Sequence, residues 1–272
     1  MLFSLKSWPP SPATRGRAFL PAVLAIAVIC GAGVWMLETP VAAQQEKAQK
    51  KRGGMPPMPD PISDDTTGFT SIFDGKTLNG WEGDTAFWRA EGGAIVGETT
   101  AANPLKSNTF LIWSGGSPKD FELRLEYRIN ATNSGIQYRS SKVPDAGKFV
   151  LKGYQADIDA QNRYTGQIYE ERGRGFLALR GQFTYIGDGK KPRVMGSLGE
   201  GDSLTQHINS DWNKLHIIAR GNTLIQVLNG HVMSMVVDDD AQNRALEGLL
   251  GIQIHVGPPM KIELRGLWLK TL

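Results

Sequence analysis

The 272-residue chain is 40% hydrophobic and 21% charged, a balance that supports a packed core and excludes a chain disordered throughout. Its formal net charge of +3 is too small to imply a nucleic-acid partner, and no basic stripe with interleaved aromatics follows the N-terminal region. The single cysteine, Cys30, excludes an intrachain disulfide and a cysteine metal cluster.

Residues 1–17 carry Lys6, Arg15 and Arg17 and no acid. Ala18 to Leu37 is apolar and uncharged, and Val41-Ala42-Ala43 supplies a small-residue cleavage pattern. This order predicts a signal peptide over residues 1–43. The alternative is an uncleaved membrane anchor through residues 18–37, since about 20 apolar residues also span a bilayer. Both place the following domain outside the cytoplasm, in the periplasm or cell envelope, because the basic flank stays inside. Residues 44–67 contain EKAQKKRGGMPPMPDPISDD, charges and then Gly and Pro without an apolar period, and read as a flexible linker.

From Gly68 to Leu272 the texture is uniform: short alternating runs separated by Gly, Asn, Asp and Pro. FELRLEYRIN, 121–130, sets Phe121, Leu123, Leu125, Tyr127 and Ile129 on one face and Glu122, Arg124, Glu126 and Arg128 on the other. Asn133-Ser134-Gly135 reads as a turn before GIQYRSS. In GYQADIDAQN, 153–162, Tyr154, Ala156 and Ile158 alternate with Gln155, Asp157 and Asp159. Asn229-Gly230, between two β-prone runs, predicts a type I′ hairpin. LLGIQIHVG, 249–257, and KIELRGLWLKTL, 261–272, add two more strands. Their number and spacing predict an all-β fold, a β-sandwich.

Three polar rows emerge from the period of two: Gln137 with Arg139, Gln155 with Asp157 and Asp159, and Gln253 with His255. These groups suit sugar hydroxyls, a divalent cation or proton transfer. Periodicity aligns each row internally but does not make the three strands neighbours. A solvated sheet face is the plainer explanation of a polar row, and it is preferred for Glu122, Arg124, Glu126 and Arg128. Tyr169-Glu170-Glu171 fits either a strand end in the same cleft or a surface acidic patch. The glycines of EERGRGFLALRGQ follow no clear strand and open no helix, so they are not a dinucleotide fingerprint. No serine stands in a G-x-S-x-G context. Trp81 and Trp212 are expected in the core.

GFTSIFDGKTLNGW, 68–81, followed in order by FELRLEYRI, NSGIQYRS, GYQADI, TGQIYE, DWN with the NG hairpin, GIQIHVG and KIELRGLWLKTL, resembles the 3-keto-disaccharide hydrolase domain family. The resemblance spans residues 68–272. It implies a concanavalin A-like lectin/glucanase jelly roll, two packed antiparallel sheets with a ligand cleft, and a secreted bacterial protein acting on oxidised glycosides. Carried over residue by residue, it implies polar cleft positions at Asn133, Arg139, Gln155, Asp157, Tyr169, Glu170, Gln253 and His255. Where the family ends in a segment like EFRNI, this chain has Glu263-Leu264-Arg265-Gly266-Leu267.

A 3-keto sugar opens a route that ordinary glycosides lack. The carbonyl acidifies the C2–H, a base removes that proton, the C1 substituent departs, and water adds to the unsaturated intermediate. The catalytic candidates are His255, Glu170 and Asp157. Arg139 is expected to polarise the keto oxygen, with Asn133, Gln155, Tyr169 and Gln253 binding substrate. A divalent cation held by Asp157, Glu170 and His255 is compatible with this chemistry, because oxygen ligands with one imidazole suit several metals. The rival expectation is a carbohydrate-binding module without turnover, which the same fold supports.

Overall fold

The computed structural model describes residues 65–272. The expected signal or anchor over residues 1–43, and the linker up to residue 64, lie outside the described residues. No helix among the described residues is long and apolar enough to cross a membrane.

Seventeen strands form among the described residues, as the alternating runs dictate. They begin with β1 (Thr70–Ser71), β2 (Trp81–Glu82), β3 (Trp88–Glu91), β4 (Ala94–Thr99), β5 (Thr109–Trp113) and β6 (Phe121–Ile129). There follow β7 (Asn133–Lys142), β8 (Leu151–Asp159), β9 (Ile168–Glu171), β10 (Gly175–Ala178), β11 (Gln182–Ile186) and β12 (Arg193–Ser197). The last are β13 (Asn213–Arg220), β14 (Thr223–Leu228), β15 (His231–Asp238), β16 (Leu249–Ile254) and β17 (Met260–Thr271).

Two sheets result. The ten-stranded sheet has the order β12-β11-β15-β14-β13-β6-β17-β4-β3, with β1 added on β17; the seven-stranded sheet has the order β10-β9-β8-β7-β16-β5-β2. Pairing is antiparallel throughout except between β11 and β15, which run parallel. This is the jelly-roll sandwich that the resemblance implies.

The core lies between the sheets and is built by period-two burial. Strand β6 contributes Phe121, Leu123, Leu125 and Tyr127; β8 contributes Tyr154, Ala156 and Ile158; β16 contributes Leu250, Ile252 and Ile254. Each large apolar side chain so buried contributes roughly 1.5–3 kcal/mol. On the opposite face of β6 the charged row is tied up in cross-strand pairs, His216–Glu122, Arg265–Glu126 and Arg128–Glu263, as a solvated face requires. Trp81 joins the core and donates its indole N–H to Ile72 O. Trp212 does not: it lies half-buried with the guanidinium groups of Arg128 and Arg265 over its ring, 4.7 and 4.0 Å from the centroid.

The NG hairpin forms between β14 and β15, with φ of +48° at Asn229 and +83° at Gly230, both positive as a type I′ turn demands. The turn expected at Asn133–Gly135 sits three residues earlier. Strand β6 ends at Ile129 and β7 already begins at Asn133. Gly135 is a strand glycine: a Cβ there would lie 2.5 Å from the Gln155 side chain. Its function is to leave room for the neighbouring strand's glutamine.

Candidate functional site

Strands β8, β7 and β16 are consecutive in the seven-stranded sheet, so the polar rows are neighbours. Gln137 pairs with Gln155 and Gly251, while Gly135 pairs with Asp157 and Gln253. Because Ala156, Ile158 and Ile252 face the core, Gln155, Asp157 and Gln253 face the other way, onto the outer surface of this sheet. Part of that surface is covered by a small apolar cluster of Phe110, Ile112, Val150 and Leu151. The uncovered part is a cleft of about 810 Å³, within the range of small-molecule sites. Asn133, Gln155, Asp157, Tyr169, Gln253 and His255 all line it.

The floor is a chain of side-chain hydrogen bonds. Ser140 Oγ–H donates to Gln137 Oε1 (2.6 Å), Gln137 Nε2–H to Gln155 Oε1 (2.9 Å), and Gln155 Nε2–H to Asp157 Oδ1 (2.6 Å). All four residues are buried. The chain fixes which oxygen of Asp157 accepts and leaves Oδ2 as the oxygen to carry a proton. Burial pushes the Asp157 carboxyl up to about 7; the Gln155 bond opposes the rise, and the charges of Glu171 and Asp159 add to it. A carboxyl so placed exchanges its proton near neutral pH.

Also lining the cleft, His255 Nδ1–H donates to Val256 O (2.6 Å). With Nδ1 as the donor, the neutral imidazole keeps its lone pair on Nε2. Gln253 Nε2 lies 3.4 Å from Glu171 Oε2, and Gln253 Oε1, fully buried, has no partner among the described residues. That orphaned acceptor is suited to a ligand hydroxyl. Burial also raises Glu171, a rise opposed by Arg172, His255 and the amides of Gln253 and Asn108.

Two of the sequence-derived residues do not reach the cleft. Glu170 alternates with Tyr169 and Glu171 along β9 and so points to the core side. There it takes three bonds from Arg174, through the backbone N–H (2.8 Å), Nε (2.7 Å) and Nη2 (3.1 Å). Arg174 also reaches Asp238, which accepts the Tyr154 hydroxyl. A metal site of Asp157, Glu170 and His255 is thereby split across two faces, and no cluster of three or more His, Cys, Asp or Glu among the described residues could hold a metal ion. Arg139 is also displaced. A bulge between Tyr138 and Ser141 gives it φ of +46° and breaks the alternation with Gln137. Its buried guanidinium is consumed by Lys119 O, Gly221 O, Ala245 O and Asp120 Oδ1.

A sequence model of the 3-keto-alpha-glucoside-1,2-lyase-like domain matches residues 68–270. The chain belongs to that family. Its function is therefore carbohydrate-related. No match was found among curated proteins. Among solved structures, a "putative glycosyl hydrolase" from Parabacteroides distasonis aligns with a TM-score of 0.50 at 17% identity, covering 78% of this chain and 98% of that one. This likeness concerns the fold. The carbohydrate binding module CBM66 from Bacillus subtilis aligns with a TM-score of 0.45 at 16% identity, over 69% of this chain and 93% of that one.

In this member of the lyase-like family, the cleft also contains groups that the sequence-derived set omits. Glu171 stands where Glu170 was expected, and the alternation Tyr169, Glu171 was the available signal. Arg163 brings a guanidinium to the cleft, with Nε 3.5 Å from Asp159 Oδ2. It lies in the β8–β9 connection, where no periodicity reports which way a side chain points. Asn108, which accepts the Val256 backbone N–H (2.9 Å), lies just before β5 and gave no signal either.

Proposed function

We propose that this domain cleaves 3-keto-glycosides by elimination across C1–C2, followed by hydration. His255 Nε2 takes the C2 proton, and the electron pair flows toward the 3-keto oxygen. Asp157, protonated on Oδ2, gives its proton to the departing C1 oxygen as the C1–O bond breaks. The products are a 2-hydroxy-3-keto-glycal and the free alcohol. In the reverse sense, water then returns hydroxyl to C1 and a proton to C2, giving the 3-keto sugar. Arg163 takes the part expected of Arg139, stabilising charge on the enolate oxygen. Asn133 and Gln253 bind ring hydroxyls, and Glu171, in the cleft where Glu170 was expected, stabilises the charge that the imidazole acquires.

The observation that carries this reading is the presence in one cleft of a carboxyl displaced to about 7 and an imidazole whose Nδ1 is engaged. An ordinary glycosidase needs two carboxylates flanking an oxocarbenium-like centre; this cleft adds to Asp157 and Glu171 an imidazole, suited to removing a carbon-bound proton. The N-terminal order of basic residues, apolar run and small-residue motif supports export, so the oxidised glycosides are met in the cell envelope, with the anchored form as the alternative to cleavage. Incubation of the purified protein with methyl 3-keto-glucoside and with its unoxidised counterpart tests the reading. Methanol is expected only from the oxidised substrate. Binding without release from a folded protein would instead make the domain a carbohydrate-binding module.

A further inference from the structure

Three aromatic rings form one wall of the cleft. Tyr164, from the β8–β9 connection, stacks on Phe176 of the edge strand β10, with centroids 5.9 Å apart and planes at 24°. Tyr169 meets Phe176 edge-on at 5.0 Å. Tyr164 and Phe176 are 37% and 41% exposed, whereas the polar floor beside them is buried. Large rings left open to solvent in a ligand-sized cleft signal a contact surface.

The wall is held rigidly. Thr165 Oγ bridges the backbone N–H and C=O of Asp159 (2.9 and 3.0 Å). Arg180 Nη1 donates to Asn162 O and Thr165 O (2.9 and 2.7 Å), and Gln167 Nε2 donates to Arg163 O (2.8 Å). The loop that carries Tyr164 is therefore fixed before any ligand arrives, which lowers the entropy cost of binding.

We infer that this aromatic wall is the subsite for the leaving group, and that it selects glycosides whose C1 substituent is a ring with an apolar face. The inference rests on the elimination reading of the cleft, which assigns the C1 oxygen to Asp157. The hydroxyl-rich oxidised ring matches the polar floor of Gln155, Asp157 and Gln253. The substituent beyond the C1 oxygen then meets the rings themselves, with the Arg163 guanidinium 5.5 Å from the Tyr164 centroid as the charged group at their edge. An aromatic aglycone and a second pyranose both offer the apolar face that such a wall rewards, whereas a methyl group does not.

The test compares kcat/KM for methyl, phenyl and glucosyl 3-keto-glucosides in the wild type and in Phe176→Ala and Tyr164→Ala. The wild type is expected to prefer at least one ring-bearing substrate to the methyl glycoside by roughly tenfold, and either substitution to collapse that ratio toward one. A phenyl advantage alone identifies an aromatic aglycone; an advantage shared with the glucosyl substrate identifies a general ring subsite. A ratio near one in the wild type, or a preference surviving both substitutions, overturns the inference. If no 3-keto-glucoside turns over, the elimination reading fails, and the wall is judged by calorimetry with unoxidised phenyl and methyl glucosides. Phenyl preference that Phe176→Ala removes supports the wall as a ring subsite; equal affinities refute it. Self-association that Phe176→Ala abolishes without changing any substrate ratio would assign the rings to a second copy instead, and also overturns the inference.

Discussion

Gln155 and Asp157, two residues apart on one face of β8, are joined by a 2.6 Å hydrogen bond from the amide Nε2 to the carboxyl Oδ1. The contact orients the carboxyl but does not overcome its burial, so Asp157 remains displaced upward to about 7 from 3.8. An acid displaced in this direction favours the fold when protonated. Its contribution is fully present below pH 3.8 and is lost as pH rises through about 7. Asp157→Asn keeps an acceptor for Gln155 and removes the buried charge. It is expected to stabilise the protein at pH 8 by on the order of 2 kcal/mol and to flatten the fall in stability between pH 4 and 7, measured by urea unfolding across pH.

The same displacement sets the pH dependence of activity. If Asp157 donates the proton to the leaving oxygen, kcat/KM declines as pH rises past about 7, by roughly tenfold per unit beyond that point. The limb should flatten for substrates with acidic leaving groups such as nitrophenol, which depart without help. A pH series with alkyl and nitrophenyl 3-keto-glucosides checks both parts.

Adjacent glutamates on β9 should behave oppositely. Glu171→Gln removes a carboxylate that lines the cleft beside Gln253 and is expected to lower kcat/KM by about 10–100-fold without loss of stability. Glu170→Gln weakens the buried pairing with Arg174 and is expected to cost roughly 2–4 kcal/mol, with kcat retained in the folded fraction. Parallel denaturation and kinetic measurements on the two variants separate the roles.

Arg139 supports the fold. Arg139→Lys cannot reproduce a fork that serves Lys119 O, Gly221 O and Asp120 Oδ1 together, and it is expected to destabilise by roughly 2–4 kcal/mol. Thermal unfolding measures the loss, and KM for 3-keto-glucosides should not move.

What could be read from the chain followed from the period of two and from turn chemistry. FELRLEYRI, the Asn229-Gly230 hairpin and the faces of Gln155, Asp157, Gln253 and His255 emerged directly, because each depends on local alternation or on a required positive φ. The adjacency of β8, β7 and β16 is a matter of long-range pairing and came only from the family resemblance. Arg139 was misplaced because a bulge inverts alternation at one residue, and nothing in QYRSS marks where the extra residue falls. Gly135 was misread as turn chemistry when its role is to clear space for a neighbouring glutamine. Glu170 was a different kind of error, since the alternation applied to β8 also assigns Tyr169 and Glu171 to one face and Glu170 to the other. Arg163, Tyr164 and Asn108 lie between strands, where no period indicates direction.

The central claim is that a proton leaves C2 during cleavage. It is tested by running the reaction on a 3-keto-glucoside in heavy water and recording the NMR spectrum of the sugar product at early times. The account predicts deuterium at C2, with C4, which is equally adjacent to the ketone, still carrying protium. Product that forms with protium retained at C2 would contradict it.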